Sequence, residues 1–141
     1  MRNIVDFTEI EAYVARVWQG QRCILKPYFF NATFENIQAD SSATQTIKIN
    51  SNADFLLTEL RAVKANSLSI QITDGATLEQ FYSSPVPVSS VATMNGYVKQ
   101  SMSVPRRIAG NSLLTIELAN NDIVESISPQ ISLVGVLVFT L

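Results

Sequence analysis

Hydrophobic and polar positions alternate with a period of two along much of this chain, and the alternation predicts strands. Leu68, Ile70 and Ile72 are interleaved with Ser67, Ser69, Gln71 and Thr73, and the run stops at Asp74-Gly75. Such spacing marks a strand with one face buried and one face wet. Leu114, Ile116 and Leu118 repeat the pattern between Ser112 and the turn Asn120-Asn121-Asp122. Ile47 and Ile49 share one face of a strand over 43–50. Ser51-Asn52-Ala53-Asp54 then turns the chain into a run over 55–63 that also has some helical character. The last run, Ile131 to Leu141, is apolar on both alternating faces. A strand with two dry faces needs a packed layer on each side, so the chain is expected to end inside the fold. Residues 78–103, rich in Ser and holding Pro85 and Pro87, read as a long connection with a short strand near Tyr97. Some seven or eight short strands separated by turn signals predict an all-β fold, a single antiparallel β-sandwich. Leu68, Ile70, Ile72, Leu114, Ile116 and Leu118 are expected to share its core with Leu133, Val134, Val136 and Leu137.

The N-terminal part departs from this pattern. Asp6 precedes Glu9 by three residues, the spacing at which a cap and a back-reaching carboxylate satisfy the amides of a helix start. Phe7, Ile10, Val14, Val17 and Trp18 recur at helical spacing, and Gly20 stands where the helix would stop, which predicts an amphipathic helix over 7–18. Its stripe must dock, either on an open end of its own domain or on a neighbouring subunit. From Ile24 to Phe34 the chain is aromatic and β-prone, while Pro27 removes one ladder donor and implies an edge position or an extended arm. After a polar loop over 35–42 the regular strands begin. The division expected is a helix and arm over 1–42 and a sandwich domain over 43–141.

Composition narrows the function classes. A chain of 141 residues is one ordinary domain, and 16% charged against 47% hydrophobic residues suggests that some apolar surface meets another chain. The formal net charge of -2 gives no positive field for nucleic acid or anionic lipid, so neither nucleic acid nor membrane is an expected partner. Asp6, Glu9 and Glu11 occupy the place of a signal core, and no apolar run reaches the ~20 residues of a membrane span. The single cysteine, Cys23, permits no internal disulfide and fits assembly in a reducing cytoplasm. There is no histidine, which removes histidine triads, the usual zinc sets and the physiological proton shuttle together. The five glycines never cluster as a phosphate cradle does, and the acids are scattered. No catalysis, cofactor or metal is expected.

The candidate contacts are therefore those of an interface. Phe7, Ile10, Val14 and Trp18 supply the helix stripe, and Tyr28 and Phe29 belong to the only dense aromatic group. Arg106-Arg107, after Pro105, forms a donor fork for carboxylates or carbonyls of a partner, or else two solvated loop arginines.

Several segments in order resemble a family of small virion proteins of tailed bacteriophages. They are Asn52-Ala-Asp-Phe-Leu-Leu57, Ile70-Gln-Ile-Thr-Asp74, Ser84-Pro-Val-Pro-Val88, Val104-Pro-Arg-Arg107, Asn111-Ser-Leu-Leu-Thr-Ile-Glu-Leu118 and Ile131-Ser-Leu-Val-Gly-Val-Leu-Val-Phe139. They span about residues 45–141, and the helix over 7–18 falls outside them. The resemblance implies a jelly-roll-like sandwich that decorates or cements a capsid surface, assembled in the host cytoplasm. Its partner would be the major capsid protein or another virion protein, and the chain itself would form a dimer or trimer. A head-fibre, collar or tail component is the nearest alternative. A carbohydrate- or receptor-binding module is another, with Trp18, Tyr28, Tyr82 and Tyr97 as stacking surfaces.

Overall fold

The computed structural model describes residues 7–94 and 101–141. Asp6, the short strand expected near Tyr97 and the side chain of Phe7 lie outside what is described. In chain order the elements are α1 (Phe7–Val17), β1 (Cys23–Thr33), β2 (Ser42–Lys48), β3 (Asp54–Val63), β4 (Leu68–Asp74) and β5 (Glu79–Gln80). There follow β6 (Val86–Pro87), α2 (Val88–Val91), β7 (Ala92–Met94), β8 (Ser101–Ile108), β9 (Leu113–Asn120) and β10 (Gln130–Thr140). One sheet runs β1-β10-β3, with both β7 and β8 against the far edge of β3. The other runs β2-β9-β4, with β5 and β6 on the far edge of β4. Among the described pairs only β3 with β7 is parallel. This is an all-β sandwich with one short N-terminal helix, as the alternation predicts.

Proline 27 shows how β1 fits. Leu141 donates its backbone N–H to the Arg22 carbonyl (2.8 Å) and Phe34 to the Pro129 carbonyl (3.0 Å). Both bonds continue the register that pairs Cys23 with Thr140 and Thr33 with Gln130. Bonded pairs alternate with unbonded ones in an antiparallel ladder, so even-numbered β1 residues face β10 and odd-numbered ones face the free edge. Pro27 is odd, and its missing N–H costs no ladder bond. Of the two expectations for this segment, the edge strand is the one realised. Residues 23–33 are thus paired with β10 along their length.

The core between the sheets gathers Leu68, Ile70 and Ile72 of β4, Leu114, Ile116 and Leu118 of β9, and Leu133 and Leu137 of β10. Phe34, Phe55 and Leu57 complete its centre. Two members of the expected core sit elsewhere. Val136 points to the opposite face of β10, where it packs with Val138, Leu56 and α1, and Val134 on that same face is half-buried. Strand alternation is the reason: Leu133 and Leu137 share one parity, and Val134 and Val136 the other. The two dry faces of β10 are real. The sandwich core covers one and α1 part of the other. The strand's last neighbour nevertheless emerges, since Leu141 is 74% exposed rather than inside the fold.

The run over 55–63 owes its mixed character to a bulge. Leu57 is opposite Gly135 and Glu59 opposite Val134, which leaves Thr58 as an extra residue. Its hydroxyl donates to the Val134 carbonyl (3.1 Å). An inserted residue flips the parity that follows, so core positions read 55, 57, 60 and 62 instead of a strict period of two.

The long connection expected over 78–103 contains β5, β6, α2 and β7, and β8 begins at Ser101. Pro105 lies within β8, where the ladder with β3 jumps from Leu57–Arg106 to Glu59–Ser101. A proline is tolerated at such an interruption. Arg106 and Arg107 are therefore strand residues, not parts of a proline-bent loop.

Candidate functional site

Ile10, Val14 and Trp18 of the helix stripe are used within the chain, while Val17 is 38% exposed. Gly20, at φ 73°, ends the helical segment in the left-handed region. Ile10, Val14 and Trp18 are buried against Leu56, Val136 and Val138 on the outer face of the first sheet, with Tyr13, Cys23 and Leu25 at the margin. The Tyr13 hydroxyl donates to the Pro105 carbonyl (3.3 Å). The helix docks within the chain, on the outer face of the first sheet and not on an open end of the domain. Cys23 lies half-buried at this margin as a free thiol.

The arginine pair works on both sides of β8. Successive strand side chains point to opposite faces, so Arg106 and Arg107 diverge. Arg107 donates from Nε (3.1 Å) and Nη2 (2.8 Å) to Oδ2 of Asp54, whose Oδ1 accepts the Gly110 amide (2.8 Å). The same guanidinium stacks 4.1 Å from the centre of the Trp18 ring, which pins the helix end to the sheet. Arg106 donates to Glu79 Oε1 (3.0 Å) and lies 4.1 Å from the centre of the Phe81 ring, reaching the β5 edge of the other sheet. The fork expected for a partner is occupied internally at both tips. Exposed pairs of this kind contribute only about 0–1 kcal/mol each, so their effect is chiefly on geometry.

A cleft of about 350 Å³ opens beside Arg107, between the Ser51–Asp54 turn, Ala109 and Gly110, and the end of β10 at Val138 and Thr140. Asp54 is the one ionisable group in its lining, and both its oxygens are engaged as described. The cleft offers hydrogen-bonding groups and no paired carboxylates.

The buried Glu59 carboxylate accepts the Thr93 hydroxyl (2.7 Å) and the Arg61 Nε (3.4 Å), tying β7 to β3. This role is structural. Gln71, buried in β4, donates to the Tyr82 carbonyl (2.7 Å) and accepts the Tyr82 amide (3.2 Å). That holds the Phe81-Tyr82 pair against the second sheet.

Burial raises the pKa of the Tyr82 phenol, and Arg106 opposes the shift only in part. The neutral phenol is thus favoured in the fold. Its stabilisation is complete below the ordinary value of about 10 and is lost as pH rises through the raised folded value. The hydroxyl is buried without a partner among the described residues. Tyr82→Phe is accordingly expected to melt no lower than the parent at pH 7 and to lose less stability above about pH 10. Melting curves of both proteins across that range check it.

Tyr28 and Phe29 remain open, at 36% and 55% exposure. They lie on opposite faces of the β1 edge, Tyr28 packed edge-on to Phe30 and Phe29 beneath Arg61. Of the four rings considered for sugar stacking, Trp18 is buried, Tyr82 half-buried and Tyr97 outside the described residues, which leaves Tyr28. Four apolar side chains are more exposed than Tyr28 or Phe29: Leu78, Leu141 and, in the loop after β9, the pair Ile123 and Val124, which the sequence expectations did not include. The signal was present as a β-branched pair inside an otherwise polar turn. No family model matches the chain, and no curated protein sequence matches it either.

Proposed function

We propose that this chain is a non-enzymatic structural protein of a tailed-bacteriophage virion, a cement or decoration protein that binds and reinforces the major capsid shell. The observation that carries the reading is the ordered series of segments resembling small virion proteins. They fall on β3, β4, β6, β8, β9 and β10, which include strands of both sheets but not β1, β2, β5 or β7. The resemblance is therefore spread over both sheets instead of being confined to one motif. The geometry adds a mechanical argument: the helix, the Arg106–Glu79 pair and the Arg107–Asp54 pair brace the sandwich from two sides. A rigid block loses little conformational entropy when it docks, and repetition over a shell multiplies weak single contacts. Phe29, 55% exposed on the face of β1 turned away from the core, is the surface offered to the shell, since Ile10, Val14, Trp18 and the arginines are engaged within the chain. Head-fibre, collar and tail positions would use the same block and differ in the partner.

Purified protein added to capsids assembled from the major capsid protein of the same genome is expected to bind saturably and to raise the temperature at which the shells open. Shells that remain bare at saturating protein would overturn the reading.

A further inference from the structure

The two ends of the sandwich carry complementary surfaces. At one end, the loop after β9 lifts Ile123 and Val124 into solvent at 81% and 78% exposure. This loop is held rigidly. The buried Asn120 side chain donates to the carbonyls of Ile37 (3.0 Å), Gln38 (3.3 Å) and Glu125 (2.9 Å) and accepts the Asp122 amide (3.0 Å). Asp122 Oδ1 accepts the amides of Val124 (2.8 Å) and Glu125 (3.1 Å), and these bonds hold its carboxyl below the ordinary range. The Asp40 amide donates to the Asp122 carbonyl (2.9 Å) and adds a further acid beside the tip. Glu125 is exposed as well, while Lys64 sits at the same end on the β3–β4 turn. An apolar pair fixed on a braced turn has already lost the freedom that binding would otherwise cost.

At the other end, Ile24, Lys26 and Tyr28 follow one another at every second position of β1 and so share a face. Ile24 is 52% and Tyr28 36% exposed, and Lys26 between them and Arg22 just before are exposed cations. Farther along the strand the same face carries Phe30 and Ala32 to the core. The Phe34–Pro129 bond places the loop end at the far end of β1 from Ile24, roughly 30 Å away at about 3.3 Å per residue. One molecule cannot close this contact on itself.

We propose that copies of this chain associate head to tail, the Ile123–Val124 tip of one seating on the Ile24–Lys26–Tyr28 strip of the next. Apolar side chains meet apolar side chains, and Asp122 and Glu125 face Lys26 and Arg22. The contact is heterologous: each copy gives one surface and receives the other, so assembly continues into a chain or closes into a ring. It does not depend on the capsid reading, because both surfaces belong to this chain.

Sedimentation velocity over a range of concentrations tests it. The parent is expected to form species larger than a monomer, with association weakened by salt because the charged rim is exposed. Ile123→Asp and Ile24→Asp are each expected to weaken association about tenfold or more without lowering the melting temperature. An equimolar mixture of the two is expected to stop at two copies, because each variant supplies the surface that the other lacks. Lys26→Glu is expected to weaken association, and adding Glu125→Lys in the same chain to restore it. A parent that stays monomeric at every concentration, association that survives both aspartate variants, or a mixture that remains monomeric would each overturn the proposal.

Discussion

Trp18→Ala is expected to cost about 3–5 kcal/mol of stability, the range for truncating a buried large aromatic side chain. The ring is 3% exposed, covers Leu56, Val136 and Val138 together with Ile10 and Val14, and carries Arg107 on its face. Its Nε1 has no hydrogen-bond partner among the described residues, so the loss comes from apolar burial and the stacked guanidinium. Trp18→Phe is therefore expected to retain much of the stability, and Arg107→Ala to cost far less than Trp18→Ala. For a chain of this size the alanine variant should melt on the order of 10 °C below the parent. Removing residues 1–22 altogether bares the apolar outer face of β3 and β10, and the product is expected to aggregate instead of remaining a soluble sandwich. Melting curves with light scattering read both effects. A Trp18→Ala protein that melts with the parent would mean that the helix contributes nothing to closing the sheet.

Gly135→Ala is expected to be as damaging by the opposite route. A Cβ at this position would run onto the backbone carbonyl oxygen of Leu56 and come within 2.9 Å of Phe55 Cζ. The carbonyl is held by the ladder of the central strand pair, and Gly135 sits where the Thr58 bulge shifts the register. Neither neighbour is the free end of a flexible side chain. The methyl must force β3 and β10 apart, at about 3 kcal/mol or more, beyond the usual range for one added methylene in a yielding core. Gly20→Ala serves as the comparison: its Cβ would meet nothing within 4 Å, leaving only the backbone cost of φ 73°. Denaturant midpoints that rank Gly135→Ala well below Gly20→Ala bear this out, and equal midpoints would contradict it.

The parts of the fold that were legible in the sequence are those where one physical rule acts alone. Over 68–73 of β4 and 114–118 of β9 apolar and polar residues alternate strictly, so Leu68, Ile70, Ile72, Leu114, Ile116 and Leu118 announce strand and core together. Where two rules overlap, the reading blurs. The Thr58 bulge breaks the period of β3, and Pro105 hides β8 because it occupies an interruption that only the pairing reveals. The docking of α1 could have been inferred from β10, whose second apolar face required a covering layer that the helix stripe was able to supply. The fates of Arg106 and Arg107 were not legible: a dipeptide does not disclose that its side chains part to Glu79 and Asp54, residues 27 and 53 positions away. Tyr28 and Phe29 lie open on β1, a segment whose aromatic content alone marked them. The Ile123–Val124 tip shows in the sequence only as a β-branched pair in a polar turn, and its fixed exposure rests partly on Asn120 bonds to Ile37 and Gln38, far away in sequence.

The composition of purified virions made from the genome that encodes this chain tests the central claim most directly. The protein is expected in the particle at a fixed ratio to the major capsid protein, with density on the outer shell that disappears when its gene is deleted. Particles that lack the protein, and open at the same temperature with or without its gene, would contradict the claim.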